Sequence, residues 1–374
     1  MNSFTEYQRE IDQLLAKRLA AYPTRDASYY QLQATIERLA DYLFDTCGEC
    51  NFTDGQVCEV KDLLDSPVFI GGNMKTGTTL MLQLLDGPDE ILALPGDTHL
   101  VRNYLEKKYE AQELTRIWLK RLINPTGNEP FWFLGRNEWI WRRFVEVLRF
   151  CCAEDSWRHD IERVVSAIHI ASGRDGVHKW IEKTPRNEAH VEQLLGIYPN
   201  AKFIFMVRCP LENVASIKKL ADVRDREFSA GGSARAAAKS IQNALNNAHR
   251  FPGRCMIVRY ENLVRMPRFQ IKEVCKFLDF KWDDQFSIPS RAGHAAQSNS
   301  MYATERRGRQ VSDRSERKRW MNVLTQKEKE AVVTQAWDSA LQAGYTEWRG
   351  PQIRKYRAKD NISFFRKVFR KVRR

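Results

Sequence analysis

No apolar run in this chain approaches the roughly 18 residues that a membrane-crossing helix requires. Residues 1–20 also lack the apolar stretch of a signal peptide, carrying Glu6, Arg9, Glu10, Asp12, Lys17 and Arg18 instead. Both absences lead to the expectation of a soluble, cytoplasmic protein. The sequon at Asn51–Thr53 carries no weight without secretion. Cysteine is sparse, with 8 in 374 residues, and forms no dense framework. Cys47, Cys50 and Cys58 lack a fourth ligand at finger spacing, so free thiols are expected rather than zinc. No internal repeat and no domain-scale linker interrupts the chain.

Basic and aromatic residues are plentiful. Lys and Arg number 60 against 47 Asp and Glu, a formal net charge of +13. This favours anionic ligands or surfaces: nucleotides, sulfated or phosphorylated substrates, nucleic acid, acidic lipid. The 10 Trp, 19 Phe and hydrophobic fraction of 43% supply a sizeable core and exclude general disorder.

The most informative stretch is Pro67–Gly87. Val68–Ile70 has strand character, Gly72–Thr79 is a loop of Gly, Lys and Thr, and Leu80–Leu85 recurs at helical spacing. A strand that feeds a glycine turn and opens a helix cradles phosphate, because the free N–H groups of the first helical turn face the anion. Gly72 and Gly77 are spaced as in a nucleotide-triphosphatase loop, which demands lysine next; Thr78 stands there instead. The loop's own lysine, Lys75, precedes Gly77, where it meets the first phosphate rather than a terminal one.

Around this stretch, residues 4–21 and 28–46 read as an amphipathic helical hairpin, with Ile11, Leu14, Leu15 and Leu19, then Leu32, Ile36, Leu39, Ala40 and Leu43, on single faces. Ile91–Leu94 reads as a second strand, ending near Asp97 and His99. Residues 100–122 and 137–171 read as helical. Between them, Phe131, Trp132 and Phe133 either line an acceptor pocket or fill the core. A third strand is expected at Gly176–Glu182, a fourth at Ala201–Arg208 and a further one at Arg254–Arg259, with helices at 211–220, 234–251, 267–279 and 326–342. Residues 224–232 read as a loop over the site. Residues 291–319, rich in Arg, read as a basic lid or a linker. Alternation of strand and helix predicts an α/β fold, a P-loop-like parallel sheet flanked by helices on both faces. The expected organisation is a helical extension over 1–60, an α/β domain over 61–345 and a tail over 346–374. In that tail, Ile362, Phe365, Val368, Phe369 and Val372 share one face among six basic residues over 361–374, the pattern of a helix in peripheral contact with an anionic membrane.

Three strand-end motifs combine: Lys75-Thr76-Gly77-Thr78-Thr79, Glu182-Lys183-Thr184-Pro185-Arg186-Asn187, and Arg208-Cys209-Pro210 with Ser216 two helical turns on. Together they resemble the sulfotransferase family that uses 3'-phosphoadenosine 5'-phosphosulfate (PAPS), the bacterial, carbohydrate or protein-tyrosine branch, over about residues 66–340. The resemblance implies that Gly72, Lys75, Thr76, Gly77, Thr78 and Thr79 hold the 5'-phosphosulfate, that Arg208 and Ser216 hold the 3'-phosphate, and that Tyr260 lies near the nucleotide. It implies that Lys183 touches the sulfonate and the leaving oxygen, and that no metal is required. Asp97 is the expected general base and His99 the alternative. The family's late Arg-Lys-Gly clamp is not recognisable; Arg319, or Arg314, Arg317 or Lys318, stands in its place. Cys209 replaces the usual Asp of the third motif. The implied acceptor is a carbohydrate, glycolipid or other hydroxylated molecule, and no nucleic acid is expected as a partner. Alternatives are sulfation of a peptide tyrosine, a nucleotide kinase, which would need Mg²⁺ and a lysine after Gly77, and a non-catalytic basic adaptor at a membrane.

Overall fold

The computed structural model describes residues 3–21, 27–50, 54–105, 107–123, 131–174, 176–292, 294–296 and 320–345. In chain order the main elements are α1 (Phe4–Ala21), α2 (Ala27–Thr46), α3 (Asp54–Leu64), β1 (Val68–Gly71), α4 (Thr78–Leu85), β2 (Ile91–Ala93), α5 (Ala111–Ile123), α6 (Glu138–Ala153) and α7 (Asp160–Ser172). There follow β3 (Lys179–Lys183), α8 (Val191–Ile197), β4 (Lys202–Val207), α9 (Pro210–Val223), α10 (Ala230–Arg250), β5 (Cys255–Arg259), α11 (Tyr260–Arg265) and α12 (Pro267–Leu278). A small antiparallel pair, β6 (Ser290–Arg291) with β7 (His294–Ala295), precedes α13 (Trp320–Val323) and α14 (Gln326–Gln342).

The five main strands form one parallel sheet in the order β2-β3-β1-β4-β5. All carboxyl ends therefore share one edge. β1 lies at the centre, and the chain moves to one side of it for β2 and β3 and to the other for β4 and β5. The carboxyl end of β1 is thus the switch point at which open α/β sheets bind ligands.

Side chains alternate across the strands and feed two cores. Ile70, Ile204 and Met206 pack with Met81 and Leu85 of α4 and Ile271 and Val274 of α12. Phe69, Phe203 and Phe205 point the other way, into a larger core built with α1, α2, α5, α6, α7, α10 and α14. Phe69 is its hub: its ring lies 5.8 Å from Trp180, 6.0 Å from Tyr198 and 5.4 Å from Phe203. Helices on both faces of a parallel sheet are what the alternation of elements predicts.

The differences are local. The helix expected over 100–122 is split into a π-helical turn at Val101–Leu105 and α5. The intervening backbone is held instead by a side chain, Tyr109 N–H donating to the Asp160 carboxylate at 2.7 Å. The third strand starts later than expected and includes Lys183. Tyr260 opens a short helix, α11. The loop before α10 is shorter than expected, because Ser229 caps that helix by accepting from Gly232 N–H at 3.1 Å. Helix α3 was not anticipated. Trp132 and Phe133 are buried; the Trp132 ring meets Trp141 at 5.6 Å and Phe4 at 6.2 Å, and its Nε1 donates to Asp12 at 3.0 Å. Of the two readings of these aromatics, core filling is the one the packing supports. No described helix is long and apolar enough to cross a membrane.

Candidate active site

The chain leaves the carboxyl edge of the sheet after each of five strands, and most of the expected site residues lie at these strand ends or on the helices that follow them. The loop after β1 turns sharply: Gly72 has φ 135° and Gly77 φ 102°, both in the left-handed region. A Cβ on Gly72 would sit 2.4 Å from the Met206 carbonyl oxygen, and one on Gly77 would sit 2.5 Å from the Tyr260 ring. Glycine is therefore required by close approach as well as by φ. Thr76 hydroxyl donates to Asn73 O at 2.7 Å, closing the turn. Asn73 Nδ2 donates to Asn213 Oδ1 at 2.8 Å, and Asn213 Nδ2 donates to Met74 O at 2.7 Å, fastening the loop to α9. From below, the buried Glu188 accepts from Gly72 N–H at 2.6 Å and from the Ser240 hydroxyl. Helix α4 then starts at Thr78 with Gly77, which has no side chain to cap it, as its N-cap. The first N–H groups of the helix and its dipole favour an anion.

Cations gather at the same place. Arg208, leaving β4, donates from Nη1 to Lys75 O at 3.0 Å and lies over the Tyr260 ring, 4.3 Å from its centre. Its nearest carboxylate, Glu212, is 3.6 Å away, and its buried Nε has no hydrogen-bond partner among the described residues. Burial, then the positive charges of Arg208 and Arg224, push the Lys75 ammonium down to about 8. Arg224, at the end of α9, was not marked as a site residue in the sequence, because it reads there as part of a polar surface loop. The turn Arg208–Cys209 is braced by Glu261, which accepts from Cys209 N–H at 2.9 Å and from the Tyr345 hydroxyl at 2.8 Å. Burial and the Glu261 carboxylate hold that phenol well above its usual range. Ser216 lies partly buried on α9. Arg319 lies outside the described residues, as do Arg314, Arg317, Lys318 and the tail 361–374.

On the other side of β1, Lys183 is buried at the end of β3, and its ammonium is paired with the half-exposed Asp97 carboxylate of the loop after β2. Arg121 of α5 holds that loop, donating to Asp97 O at 2.5 Å. His99 is exposed, and burial of its ring outweighs the pull of Asp97 to lower its basicity. Lys75, His99 and Arg186 all have positive φ, at 67°, 53° and 76°. Three non-glycine residues in this costly region, one on each of three adjacent strand-end loops, are held by the surrounding hydrogen bonds. Arg186 N–H, for instance, donates to Gly72 O at 3.0 Å.

A glycine cradle, a helix start, and Lys75 and Arg208 beside them form a site at the centre of the sheet suited to an anionic group, with a carboxylate–ammonium pair one strand away. Residues 67–284, more than half of the chain, match the sulfotransferase family, and the chain belongs to it. A protein-tyrosine sulfotransferase of Drosophila melanogaster is 26% identical over 229 residues, covering 58% of this chain and 38% of that protein. Protein-tyrosine sulfotransferase A of Caenorhabditis elegans is 26% identical over 226 residues, 58% of this chain and 51% of that protein. The chain thus spans about half or less of the length of these two relatives. Among solved structures, the sulfotransferase domain from the curacin biosynthetic pathway aligns over 72% of this chain and 96% of its own, at 17% identity and a TM-score of 0.45.

Proposed function

We propose that this chain transfers the sulfonate group of PAPS to an acceptor hydroxyl. The observation that carries the reading is Arg208 fastened to the Lys75 loop, Nη1 donating to Lys75 O at 3.0 Å, with its buried Nε lacking a partner among the described residues. Two cations beside a glycine loop, with the Glu212 carboxylate 3.6 Å from Arg208, suit a ligand with phosphate groups. When bound, PAPS supplies an activated sulfonate on a bisphosphate leaving group. Lys75, Thr76, Thr78, Thr79 and the first N–H groups of α4 hold the 5'-phosphate oxygens, with Gly72 and Gly77 allowing the backbone to come close. Arg208 and Ser216 hold the 3'-phosphate, and Tyr260, packed on Gly77, borders the nucleotide. Lys183 neutralises charge that develops on the departing oxygen. Asp97 takes the proton of the acceptor hydroxyl. Its position beside Lys183, the residue proposed to touch the sulfonate, favours it over the exposed His99 as base.

The acceptor we read as a phenolic hydroxyl of tyrosyl type. The expectation of a sugar acceptor rests on Phe131, Trp132 and Phe133, and the burial of Trp132 and Phe133 removes that support. The named relatives are protein-tyrosine sulfotransferases, which favours the phenol. Titration of PAPS, adenosine 3',5'-bisphosphate and ATP, each with and without Mg²⁺, tests the donor. Tight, metal-independent binding of the 3'-phosphorylated nucleotides, lost in Lys75→Ala and Arg208→Ala, is expected; ATP binding that requires Mg²⁺ would overturn the reading. Labelled donor offered to a tyrosyl peptide and to an oligosaccharide decides the acceptor.

A further inference from the structure

We infer that Glu182 is a positioning residue for the transfer: it pins the turn carrying Asp97 against the strand end carrying Lys183. The inference rests on the roles proposed above for Asp97 and Lys183. Glu182 is fully buried in β3, in register with Phe69 of β1. Its carboxylate touches neither end of the Asp97–Lys183 pair; it holds the groups on either side of it. Oε1 accepts from the Thr98 hydroxyl at 2.5 Å and from the Thr184 hydroxyl at 2.5 Å. Oε2 accepts from Asn187 Nδ2 at 2.5 Å.

Two neighbouring contacts constrain the network. Thr184 Oγ1 accepts the His99 N–H at 2.8 Å, which leaves its own proton for Glu182. Asn187 Nδ2 donates to Ile70 O at 3.2 Å as well as to Glu182, so the amide cannot turn over without giving up β1. Asn187 donates to Oε2, and with Glu182 ionised both hydroxyls can donate to Oε1. A glutamine of the same shape meets Asn187 only with its oxygen, which turns its NH₂ onto the two hydroxyls and removes the acceptor they share. Burying a carboxylate is costly, and a site that only needed filling would be filled by an apolar side chain. What the carboxylate does that an apolar group does not is join Thr98 and, through Thr184, His99, the two residues that follow Asp97, to the strand end next to Lys183. Arg121 holds the same turn from its outer side through Asp97 O.

The test uses the full chain with Glu182→Gln, Thr98→Val and the double variant. The readouts are affinity for adenosine 3',5'-bisphosphate, and kcat and KM with a phenolic acceptor. Glu182→Gln is expected to lower kcat about tenfold or more, the scale of a misplaced reacting group. Affinity for the bisphosphate, held on other loops, stays within about twofold. The double variant is no worse than the poorer single variant, because both substitutions cut the same bond. Unchanged kcat with a lowered melting temperature, or additive effects of the two substitutions, overturns the inference. Crystal structures of wild type and Glu182→Gln decide it independently of any activity. Displacement of the 97–99 turn from Lys183 by about 1 Å, the misplacement on which the kcat estimate rests, supports it. A superposable turn overturns it. Failure of wild type to bind the bisphosphate or to transfer sulfonate overturns the proposed function instead.

Discussion

In the free protein Lys75 titrates near 8, because burial disfavours its charge and Arg208 and Arg224 repel it. A bound phosphate reverses both effects, so binding must draw a proton onto any Lys75 that has lost one. Affinity for adenosine 3',5'-bisphosphate is then full below pH 8 and declines as pH rises through it, until the raised value in the complex is reached. At pH 7 about nine tenths of free Lys75 is charged, at pH 8 about half, and at pH 9 about one eleventh. Affinity should therefore fall about fivefold between pH 8 and 9, and about tenfold between pH 7 and 9, equivalent to ~1.4 kcal/mol. The phosphate's own second ionisation, near 6, lies below this window. Calorimetric titration at pH 8 in two buffers of different ionisation enthalpy should show uptake of about half a proton. Lys75→Arg retains a cation that stays charged throughout this range, and should flatten the profile. An affinity constant from pH 7 to 9, or a decline that persists unchanged in Lys75→Arg, would refute the reasoning.

Gly77→Ala should abolish nucleotide binding and lower the melting temperature, since the new methyl would meet the Tyr260 ring at 2.5 Å on a backbone with φ 102°; wild-type affinity in this variant would contradict the cradle. Asp97→Asn should lower kcat by about 10²-fold or more while sparing bisphosphate affinity. His99→Ala should leave kcat within about threefold, well short of the loss expected for a general base. Near-normal turnover in Asp97→Asn would remove Asp97 from the role of base.

The strand-end loops were legible because their signal is local. Gly72, Lys75, Gly77 and Arg208 each sit where an apolar strand stops, and a strand end followed by a helix start needs only a dozen residues to be recognised. Helix α14 was bounded correctly because Thr325 and Glu328 form a capping box that the sequence displays. The supporting shell is not local. Glu188 reaches Gly72 and Ser240, and Glu182 reaches Thr98, across separations of 52 to 116 residues. From sequence such carboxylates look like solvent-facing charges; only the parallel register of β1 beside β3 buries them. The aromatics 131–133 were ambiguous for the same reason, since the partners of Trp132 are Phe4, Asp12 and Trp141. Strand order, too, depends on which crossovers the helices make, which periodicity does not encode.

The hairpin of α1 and α2 has a consequence for how this gene can be cut. The stretch shared with the family begins at residue 67 and ends at 284. Yet Phe4, Ile11, Leu15, Leu32, Ile36 and Leu39 before it, and Val332, Ala336 and Tyr345 after it, lie in the same continuous core as Phe69 and Phe203. Outside that core, Asp41 pairs with Arg116 at 2.7 Å and Asp12 with Arg136 at 2.6 Å. A segment trimmed to the shared boundaries would uncover Trp132, which packs on Phe4, and each uncovered large side chain forfeits about 1.5–3 kcal/mol. The unit that folds is larger than the span that matches the family, and the helices outside that span are part of what keeps it standing.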